Sequence, residues 1–256
     1  MRITAAIITL NEAENILAAC ESVAWADEIL VIDSESTDST RTIALDCGAR
    51  VIVNPWPGFA AQKQLAVDSA THDWILSLDA DERVSPELRA AIESLREVDE
   101  SRLADGYRVP RRAFYMGRWI RGGGWYPDYQ LRFFNRARGH WGPRLIHESV
   151  VMDSGARVEK LSGDLLHYTI PDAAYHQRII EERYAPLGAR QMLAEGKRTS
   201  RLRHAIAGPA AFLRSFLLKG GFRDGRAGLT IANFARRHAS LKHAILYGLQ
   251  NQKREN

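Results

Sequence analysis

Cysteine and long apolar runs are both scarce in this chain of 256 residues. Its two cysteines fall on apolar positions of predicted helices, so a disulfide scaffold is excluded and a reducing compartment, the cytoplasm, is expected. The longest apolar run near the carboxyl end, residues 205–218, is interrupted by Pro209 and Arg214 and is too short to span a bilayer. The sequence therefore predicts a globular cytoplasmic protein that can touch a membrane without crossing it.

Glycine-rich phosphate loops are also missing. No G-x-G-x-x-G element or P-loop follows a predicted strand, which argues against a dinucleotide-binding or P-loop enzyme. Acidic residues are scarce over residues 197–256, which hold 13 Lys/Arg and 2 Asp/Glu, whereas residues 1–100 hold 7 and 19. The acidic front, residues 1–100, could bind a cation. The basic tail, residues 197–256, is either suited to an anionic surface or simply solvated.

Short runs rich in Val and Ile alternate with helical patterns over the first hundred residues. The predicted strands are Ile3–Thr9, Glu28–Asp33, Arg50–Asn54 and Trp74–Leu78. Asn11 is predicted to cap the first helix and Ser85 the fourth. Because parallel neighbours need crossover connections, this order predicts an α/β fold, a mostly parallel sheet with flanking helices. Ligands of such sheets bind at the carboxyl ends of the strands.

The rest of the chain is predicted to divide near residue 170. Residues 101–170 have the irregular pattern of extra strands and loops that complete the sheet. Helical patterns follow, over Ile179–Ala194, Leu202–Leu218 and Leu229–Leu249. We therefore expect an α/β domain over residues 1–170 and a basic helical extension over residues 171–256.

Polar clusters follow three of the predicted strands where each one ends. They are Thr9-Leu10-Asn11-Glu12, Asp33-Ser34-Glu35-Ser36-Thr37-Asp38 and Asp79-Ala80-Asp81-Glu82. Asp79 and Asp81 stand where a strand breaks, so both can turn toward Mg²⁺ or Mn²⁺, which would bridge to a diphosphate. The alternative is a pair of acids that form a turn or cap the next helix.

These three motifs, in this order, resemble the N-terminal half of family 2 glycosyltransferases with the GT-A fold. The stretch Trp74–Glu82 is especially similar to the bacterial subgroup that resembles lipopolysaccharide core β-1,4-glucosyltransferases. Similar length, the Ile146-His147-Glu148 element and the basic tail extend the resemblance over most of the chain. It implies an inverting, metal-dependent transfer of a hexose from a nucleotide sugar, with UDP-glucose favoured, to a saccharide or lipid-linked acceptor of the cell envelope. Residues 1–170 would bind the nucleotide sugar and carry the catalytic groups.

The resemblance also implies which residues bind the nucleotide. Thr9, Asn11 and Glu12 would contact the base and ribose, and Asp33 the edge of the base. Lys63 occupies the place where the family often has an arginine near the diphosphate. A lysine is a point charge that cannot make the bidentate contact of an arginine.

Metal coordination is assigned by the same resemblance. Asp79 would lie on the ribose or metal side, and Asp81 would bind the cation directly. His167 is the candidate for the further ligand that the family usually takes from a downstream histidine, and His147 competes with it. A packed structural histidine is the alternative interpretation of His167.

Inverting transfer needs one carboxylate that takes a proton from the acceptor hydroxyl. The family places this base after a glycine-containing loop, here Gly122-Gly123-Gly124, but its usual Glu-Asp pair is absent from this sequence. Glu148 is the first choice, with His147 beside it, and Asp128 is the alternative. A structural salt bridge to a neighbouring arginine is the other interpretation of either carboxylate.

Arginines and aromatic residues crowd the middle of the chain. They are Arg108, Arg111, Arg112, Arg118, Arg121, Arg132, Arg136, Arg138 and Arg144, with Trp119, Trp125, Tyr126, Tyr129 and Trp141. Aromatic rings stack on sugar faces and arginines pair with phosphate or carboxylate, so an anionic sugar acceptor would explain both. Surface arginines over a partly aromatic core are the alternative.

Two other classes of protein could share parts of this sequence pattern. A Mg²⁺-dependent phosphatase or nucleotidyltransferase could use the same two aspartates, but such phosphatases carry them on the first strand. A nucleic-acid-binding protein could use the basic tail, but no nucleic-acid motif is present and the acidic front would repel phosphate, so no nucleic-acid partner is expected. Instead, the tail is predicted to hold the protein peripherally on the anionic inner face of the cell membrane. The alternative is that its helices simply pack on the catalytic domain.

Overall fold

The computed structural model describes residues 1–142, 148–168, 170 and 172–255, the last four of them by backbone alone. Its residues group into two units, Met1–Arg111 with Asp128–His167, and Arg112–Pro127 with Tyr168–Asn256. The break after His167 lies close to the boundary expected near residue 170. The segment from Arg112 to Pro127, expected in the α/β domain, belongs to the second unit.

The strands, in chain order, include the four predicted ones at nearly the predicted bounds. They are β1 Ile3–Thr9, β2 Glu28–Asp33, β3 Arg50–Val53, β4 Trp74–Asp79, β5 Glu82–Val84, β6 Gly106–Tyr115, β7 Arg118–Trp119, β8 Asp128–Asn135, β9 Gly139–Trp141, β10 Val150–Met152, β11 Val158–Lys160 and β12 Leu165–His167. The helices of the first unit are α1 Ile16–Ser22, α2 Thr40–Asp46, α3 Phe59–Ser69 and α4 Pro86–Ser94, with 3₁₀ turns at Leu95–Glu97 and Glu100–Arg102.

The sheet of the first unit is mixed. Its strand order is β3-β2-β1-β4-β8-β6-β12-β5, with β11 also paired to β6. The first four strands of this order are parallel, whereas β8 joins β4 in antiparallel orientation. Strands β9 and β10 form a separate antiparallel ribbon. The α/β fold and the extra strands of the middle segment are therefore confirmed.

Strand β1 is buried along its whole length. Ile3 and Ile7 belong to a core on one face of the sheet, and Ala6 and Ile8 to a core on the other. A parallel strand covered on both faces reads as a continuous apolar run, which is the pattern that predicted it. Each fully buried Ile contributes about 1.5–3 kcal/mol to the free energy of folding, so the strand ends are held in place by a well-packed centre.

The predicted cap at Ser85 is confirmed, and the predicted cap at Asn11 is wrong. Ser85 Oγ accepts a hydrogen bond from the backbone N–H of Leu88 at 3.2 Å. Helix α1 begins only at Ile16, and Asn11 has φ 53°. Its side-chain oxygen accepts from the backbone N–H of Thr37 at 2.8 Å. A short polar side chain tolerates the left-handed conformation, so Asn11 joins two loops at the strand ends instead of starting a helix.

The second unit contains the end of β6, strand β7 and the remaining helices. These are α5 Ala173–Ile179, α6 Ala185–Ala194, α7 Arg201–Leu213 and α8 Gly225–Glu255, with π-helical turns at Ile180–Tyr184 and Arg214–Leu218 and a 3₁₀ turn at Gly221–Asp224. The predicted helical character of this region is confirmed. In the described part of the chain, no helix combines the length and apolarity needed to cross a membrane.

The glycine run of the second unit is used for close packing. A Cβ on Gly122 would lie 2.4 Å from the carbonyl oxygen of Gly220, so no larger residue fits there. The buried Asp224 carboxylate accepts hydrogen bonds from the backbone N–H groups of Arg121 and Gly122, at 2.8–3.1 Å. These hydrogen bonds therefore hold the start of the glycine loop against the turn Gly221–Asp224, which precedes α8.

Candidate active site

Strands β1 and β2 end side by side in two buried polar side chains. Thr9 and Asp33 are register partners and are 4% and 0% exposed. Asp33 Oδ1 accepts from the backbone N–H of Ser36 at 2.9 Å. Among the described residues, Thr9 Oγ1 and Asp33 Oδ2 have no hydrogen-bond partner. An unpaired buried polar atom costs about 1–3 kcal/mol, so these two atoms are suited to a ligand that supplies an N–H edge, such as a pyrimidine base.

Glu12, in the loop after β1, is influenced electrostatically by Asp81, which follows β4. The Glu12 carboxylate accepts from the Asn15 side chain at 2.7 Å. Burial raises the pKa of Glu12, the Asn15 hydrogen bond opposes this change, and the negative charge of Asp81 adds to it. An effect of Asp81 on Glu12 is expected for carboxylates that follow the neighbouring parallel strands β1 and β4.

Asp79 is held between two buried cations. Its Oδ1 lies 2.9 Å from Lys63 Nζ, and its Oδ2 lies 3.0 Å from Arg132 Nη2. Burial opposes ionisation of Asp79, but Lys63 and Arg132 outweigh it and hold the pKa of this carboxyl far below its usual range. Both oxygens of Asp79 are thus engaged with cations of the chain itself.

Arg132 carries the network on to further carboxylates. Its Nη2 also contacts Glu82 Oε1 at 3.1 Å, and the other oxygen of the fully buried Glu82 accepts from the backbone N–H of Asp79 at 3.0 Å. Arg111 lies 3.6 Å from Glu82 Oε1 and makes two hydrogen bonds to Asp128 Oδ2, at 2.8 and 3.1 Å. Asp128 therefore has the arginine salt bridge that was one of its two predicted roles.

Glu148 reaches the same cluster from a distant part of the chain. Its Oε1 lies 3.5 Å from Lys63 Nζ, and its side chain is 22% exposed. Lys63 therefore contacts both Asp79 and Glu148. His147, predicted as a neighbour of the base and as a rival metal ligand, lies outside the described residues.

Asp81 and His167 form a separate pair at the edge of the cluster. Asp81 Oδ2 lies 3.2 Å from His167 Nε2, and the two side chains are 23% and 14% exposed. The pairing of β12 with β5 sets this geometry, since His167 is the register partner of Glu82. Within the described ranges, no group of three or more His, Cys, Asp or Glu converges to hold a metal. Any cation here would take its remaining ligands from water and substrate.

The sequence did not single out Arg132 or Glu82 as functional. Arg132 was one of nine crowded arginines, and several of the others have structural partners. Arg136 donates to Asp73 and to the Ala70 carbonyl oxygen, and Arg138 pairs with Asp105. The sequence did contain one signal for such an arginine. Glu82 is a third acid directly after the two aspartates, and a carboxylate buried at a covered strand end needs a cation as its partner.

Comparison with known proteins agrees with the α/β fold. Glycosyl transferase family 2 matches residues 4–161. The lipopolysaccharide core biosynthesis glycosyltransferase LpsC of Rhizobium meliloti is 30% identical over 96% of this chain and 92% of the relative. An uncharacterized glycosyltransferase of Rickettsia bellii is 32% identical over 92% of this chain and 83% of its own length. The chain belongs to glycosyl transferase family 2, and it is an enzyme, a glycosyltransferase.

Two solved structures show weaker similarity. Residues 1–349 of S. aureus TarS align over 99% of this chain and 92% of theirs, with 13% identity and a TM-score of 0.47. Glucosyl-3-phosphoglycerate synthase from Mycobacterium tuberculosis, solved with Mn²⁺ and UDP, aligns over 45% of this chain and 44% of its own, with 24% identity and a TM-score of 0.36.

Proposed function

We propose that this protein is an inverting glycosyltransferase that moves a hexose from a nucleotide sugar, with UDP-glucose favoured, to a saccharide of the lipopolysaccharide core. The observation that carries this proposal is the double contact of Lys63. It joins Asp79, the first aspartate of the Asp79-Ala80-Asp81 motif expected to bind the donor, to Glu148, the candidate base, at 2.9 and 3.5 Å. We call this motif the donor motif. A proton acceptor beside the donor motif is what direct displacement requires. The name of the relative LpsC supports the acceptor class.

Asp81 and His167 are the residues that would hold Mg²⁺ or Mn²⁺. A carboxylate and an imidazole 3.2 Å apart fit a cation that takes its other ligands from substrate phosphates and water. A bound cation of this kind neutralises the charge that develops on the nucleoside diphosphate as it leaves. Asp79 supports the site indirectly in this proposal, because Lys63 and Arg132 already occupy both its oxygens.

Glu148 is the base in this mechanism. Its carboxylate takes the proton from the acceptor hydroxyl while that oxygen attacks the anomeric carbon on the face opposite the diphosphate. Asp128 is the weaker candidate, because Arg111 binds one of its oxygens and Gln130 donates to the other at 2.7 Å. Thr9 and Asp33 would bind the nucleotide base through the atoms that lack partners, with Asn11 and Glu12 beside the ribose and Lys63 near the diphosphate.

Transfer assays test the proposal. Purified protein is incubated with UDP-glucose, UDP-galactose, UDP-N-acetylglucosamine and GDP-mannose, each with lipopolysaccharide core fragments, with Mn²⁺ or with EDTA. We expect one donor to dominate, EDTA to stop transfer, and the new linkage to have the anomeric configuration opposite to that of the donor. Retained configuration would exclude the inverting mechanism. Release of phosphate from a phosphomonoester without sugar transfer would favour the phosphatase alternative.

The helices of the second unit support a peripheral membrane location in the cytoplasm. Their surface exposes a set of large apolar side chains: Leu202, Ile206, Leu213, Leu217, Leu218 and Phe222. We call these six residues the apolar patch. Arg214, Lys219, Arg223 and Arg226 belong to the same stretch of chain. Exposed apolar groups among basic ones fit an anionic lipid surface, where each Lys or Arg adds about 1 kcal/mol. A lipid-linked acceptor could be reached there.

A further inference from the structure

Three hydrogen-bond donors beside the carboxylate cluster are buried without partners. Arg132 is 4% exposed and Trp141 is 7% exposed. Arg132 uses Nη2 for Asp79 and Glu82, but its Nε and Nη1 and the indole Nε1 of Trp141 have no hydrogen-bond partner among the described residues. The two side chains adjoin, since the guanidinium carbon of Arg132 lies 5.8 Å from the centre of the Trp141 ring.

The position of Trp141 is set independently of these donors. Its backbone N–H donates to the side chain of Gln64 at 2.8 Å, and Lys63 Nζ lies 4.8 Å from the centre of its ring. The ring also belongs to the core that contains Ile8 and Leu131. Because each unpaired buried donor costs about 1–3 kcal/mol, three of them in one place indicate that a ligand completes their hydrogen bonding.

The charges of the cluster point to a neutral ligand. The cations Lys63, Arg132 and Arg111 already face four carboxylates, those of Asp79, Glu82, Asp128 and Glu148. An anion without an accompanying divalent cation would meet a site without excess positive charge beside Arg132. A hydroxyl group both donates and accepts hydrogen bonds, so it matches idle N–H donors that stand next to carboxylate oxygens. A phosphate oxygen only accepts, and it would satisfy one half of this arrangement.

We propose that Arg132 and Trp141 form the subsite for the transferred hexose and select among donor sugars through their N–H groups. This inference rests on the proposed function, because it takes the ligand beside Asp79 to be the sugar of a nucleotide sugar. It adds two specificity-determining residues that are separate from the base, the metal ligands and the nucleotide contacts.

The test is Trp141→Phe, which keeps an aromatic ring and removes the indole N–H. Calorimetry with Mn²⁺ present measures binding of the nucleotide sugar preferred in the donor panel and of the matching nucleoside diphosphate. We expect Trp141→Phe to weaken binding of the nucleotide sugar about five- to tenfold and to leave binding of the diphosphate unchanged. Trp25→Phe is the matched control, since it removes an indole N–H that donates to the Ser22 carbonyl oxygen at 2.9 Å. It should change neither affinity.

Deoxy analogues of the preferred donor sharpen the result. The analogue that lacks the hydroxyl bound by Trp141 should bind the wild type and Trp141→Phe equally, because the lost group and the lost donor are partners. Arg132→Lys keeps a positive charge for Asp79 and Glu82 but removes Nε and Nη1. It should likewise weaken binding of the nucleotide sugar and leave binding of the diphosphate unchanged. Unfolding of that variant leaves the decision to Trp141→Phe, whose melting temperature is measured alongside.

Two results would overturn the inference. Equal affinity of the wild type and Trp141→Phe for the nucleotide sugar would show that the hexose lies elsewhere. Equal weakening of nucleotide sugar and diphosphate would show that these donors bind phosphate. Failure of the wild type to bind any nucleotide sugar is a different outcome, because it contradicts the proposed function itself.

Discussion

Charged side chains are buried beside the strand ends of the first unit, whereas large apolar side chains are exposed on the helices of the second. Lys63 and Glu82 are 2% and 0% exposed, and Leu218 and Leu202 are 83% and 71% exposed. Both regions depart from the usual partition of residues, in opposite directions. The difference teaches where each departure finds its compensation. The buried charges of the first unit are paired with one another, whereas the exposed apolar side chains of the second unit would need a surface to cover them.

Removing Asp81, the proposed metal ligand, should give the largest effect on transfer. Asp81→Ala should reduce transfer by at least about a thousandfold, because a lost ligand releases the cation that stabilises the leaving diphosphate. It should also make nucleotide binding independent of Mn²⁺, measured by titration with and without the ion. Asp73→Ala, at an exposed carboxylate paired with Arg136, is the control and should have wild-type activity. Full wild-type activity in EDTA would contradict the metal role.

Glu148→Gln should separate chemistry from binding. We expect turnover to fall by about two to four orders of magnitude, the range of a general base, with donor affinity unchanged. Asp128→Asn should lower turnover less and lower the melting temperature more, because it removes the carboxylate that Arg111 binds. Steady-state kinetics and thermal melts of both variants check this. The reverse order of the two turnover numbers would identify Asp128 as the base.

A negative charge introduced into the apolar patch should weaken binding to vesicles and should leave the behaviour of the protein in solution unchanged. Leu218→Glu should reduce binding to anionic vesicles about tenfold in flotation, because it replaces an apolar contact by a charge of the same sign as the lipid. Leu45→Glu, at an exposed leucine of the first unit, is the control and should float like the wild type. Equal flotation of all three proteins would show that the apolar patch does not bind the membrane.

The smallest effect concerns a carboxylate that is well paired but lies outside the site. Glu28 accepts from Thr4 and from Thr71, and it pairs with Arg50. Burial raises the pKa of Glu28, but these partners outweigh it and lower the pKa to about 2. The unfolded chain then binds more protons than the folded one, so stability falls as the pH drops from about 4.5 toward 2.

Glu28→Gln should lose this pH dependence and about 1 kcal/mol of stability at pH 7, after allowance for solvent screening. Urea unfolding between pH 7 and pH 3 measures both. The exposed Glu21→Gln is the control and should unfold like the wild type. If Glu28→Gln kept the wild-type dependence of unfolding free energy on pH, another carboxylate would cause the acid sensitivity. Transfer activity is expected to be unchanged in both variants.

Local patterns were enough to predict the parallel strands and the cap at Ser85, because each depends on neighbours within a few residues. The same approach was wrong at Asn11, whose partner Thr37 is 26 positions away. The candidate site shows the same limit. The strand-end residues Thr9, Asp33, Asp79 and Asp81 were selected by their position in the sheet. The network that holds Asp79 was not predicted, because Arg132 is 53 residues from it and is one arginine among many.

What the sequence by itself determined is the α/β fold, the edge of the sheet where the polar clusters meet, and the family to which the chain belongs. Periodicity and strand-end position carry that information, since apolar burial on both faces of a parallel strand leaves a continuous signal along the chain. Only the tertiary structure decided that Lys63 contacts both Asp79 and Glu148, that Arg111 occupies Asp128, and that Arg132 and Trp141 keep idle donors. These facts depend on the pairing of buried charges across distant segments. The low dielectric of the interior strengthens each pair and makes an unpaired charge costly, but no local sequence pattern shows which residues pair.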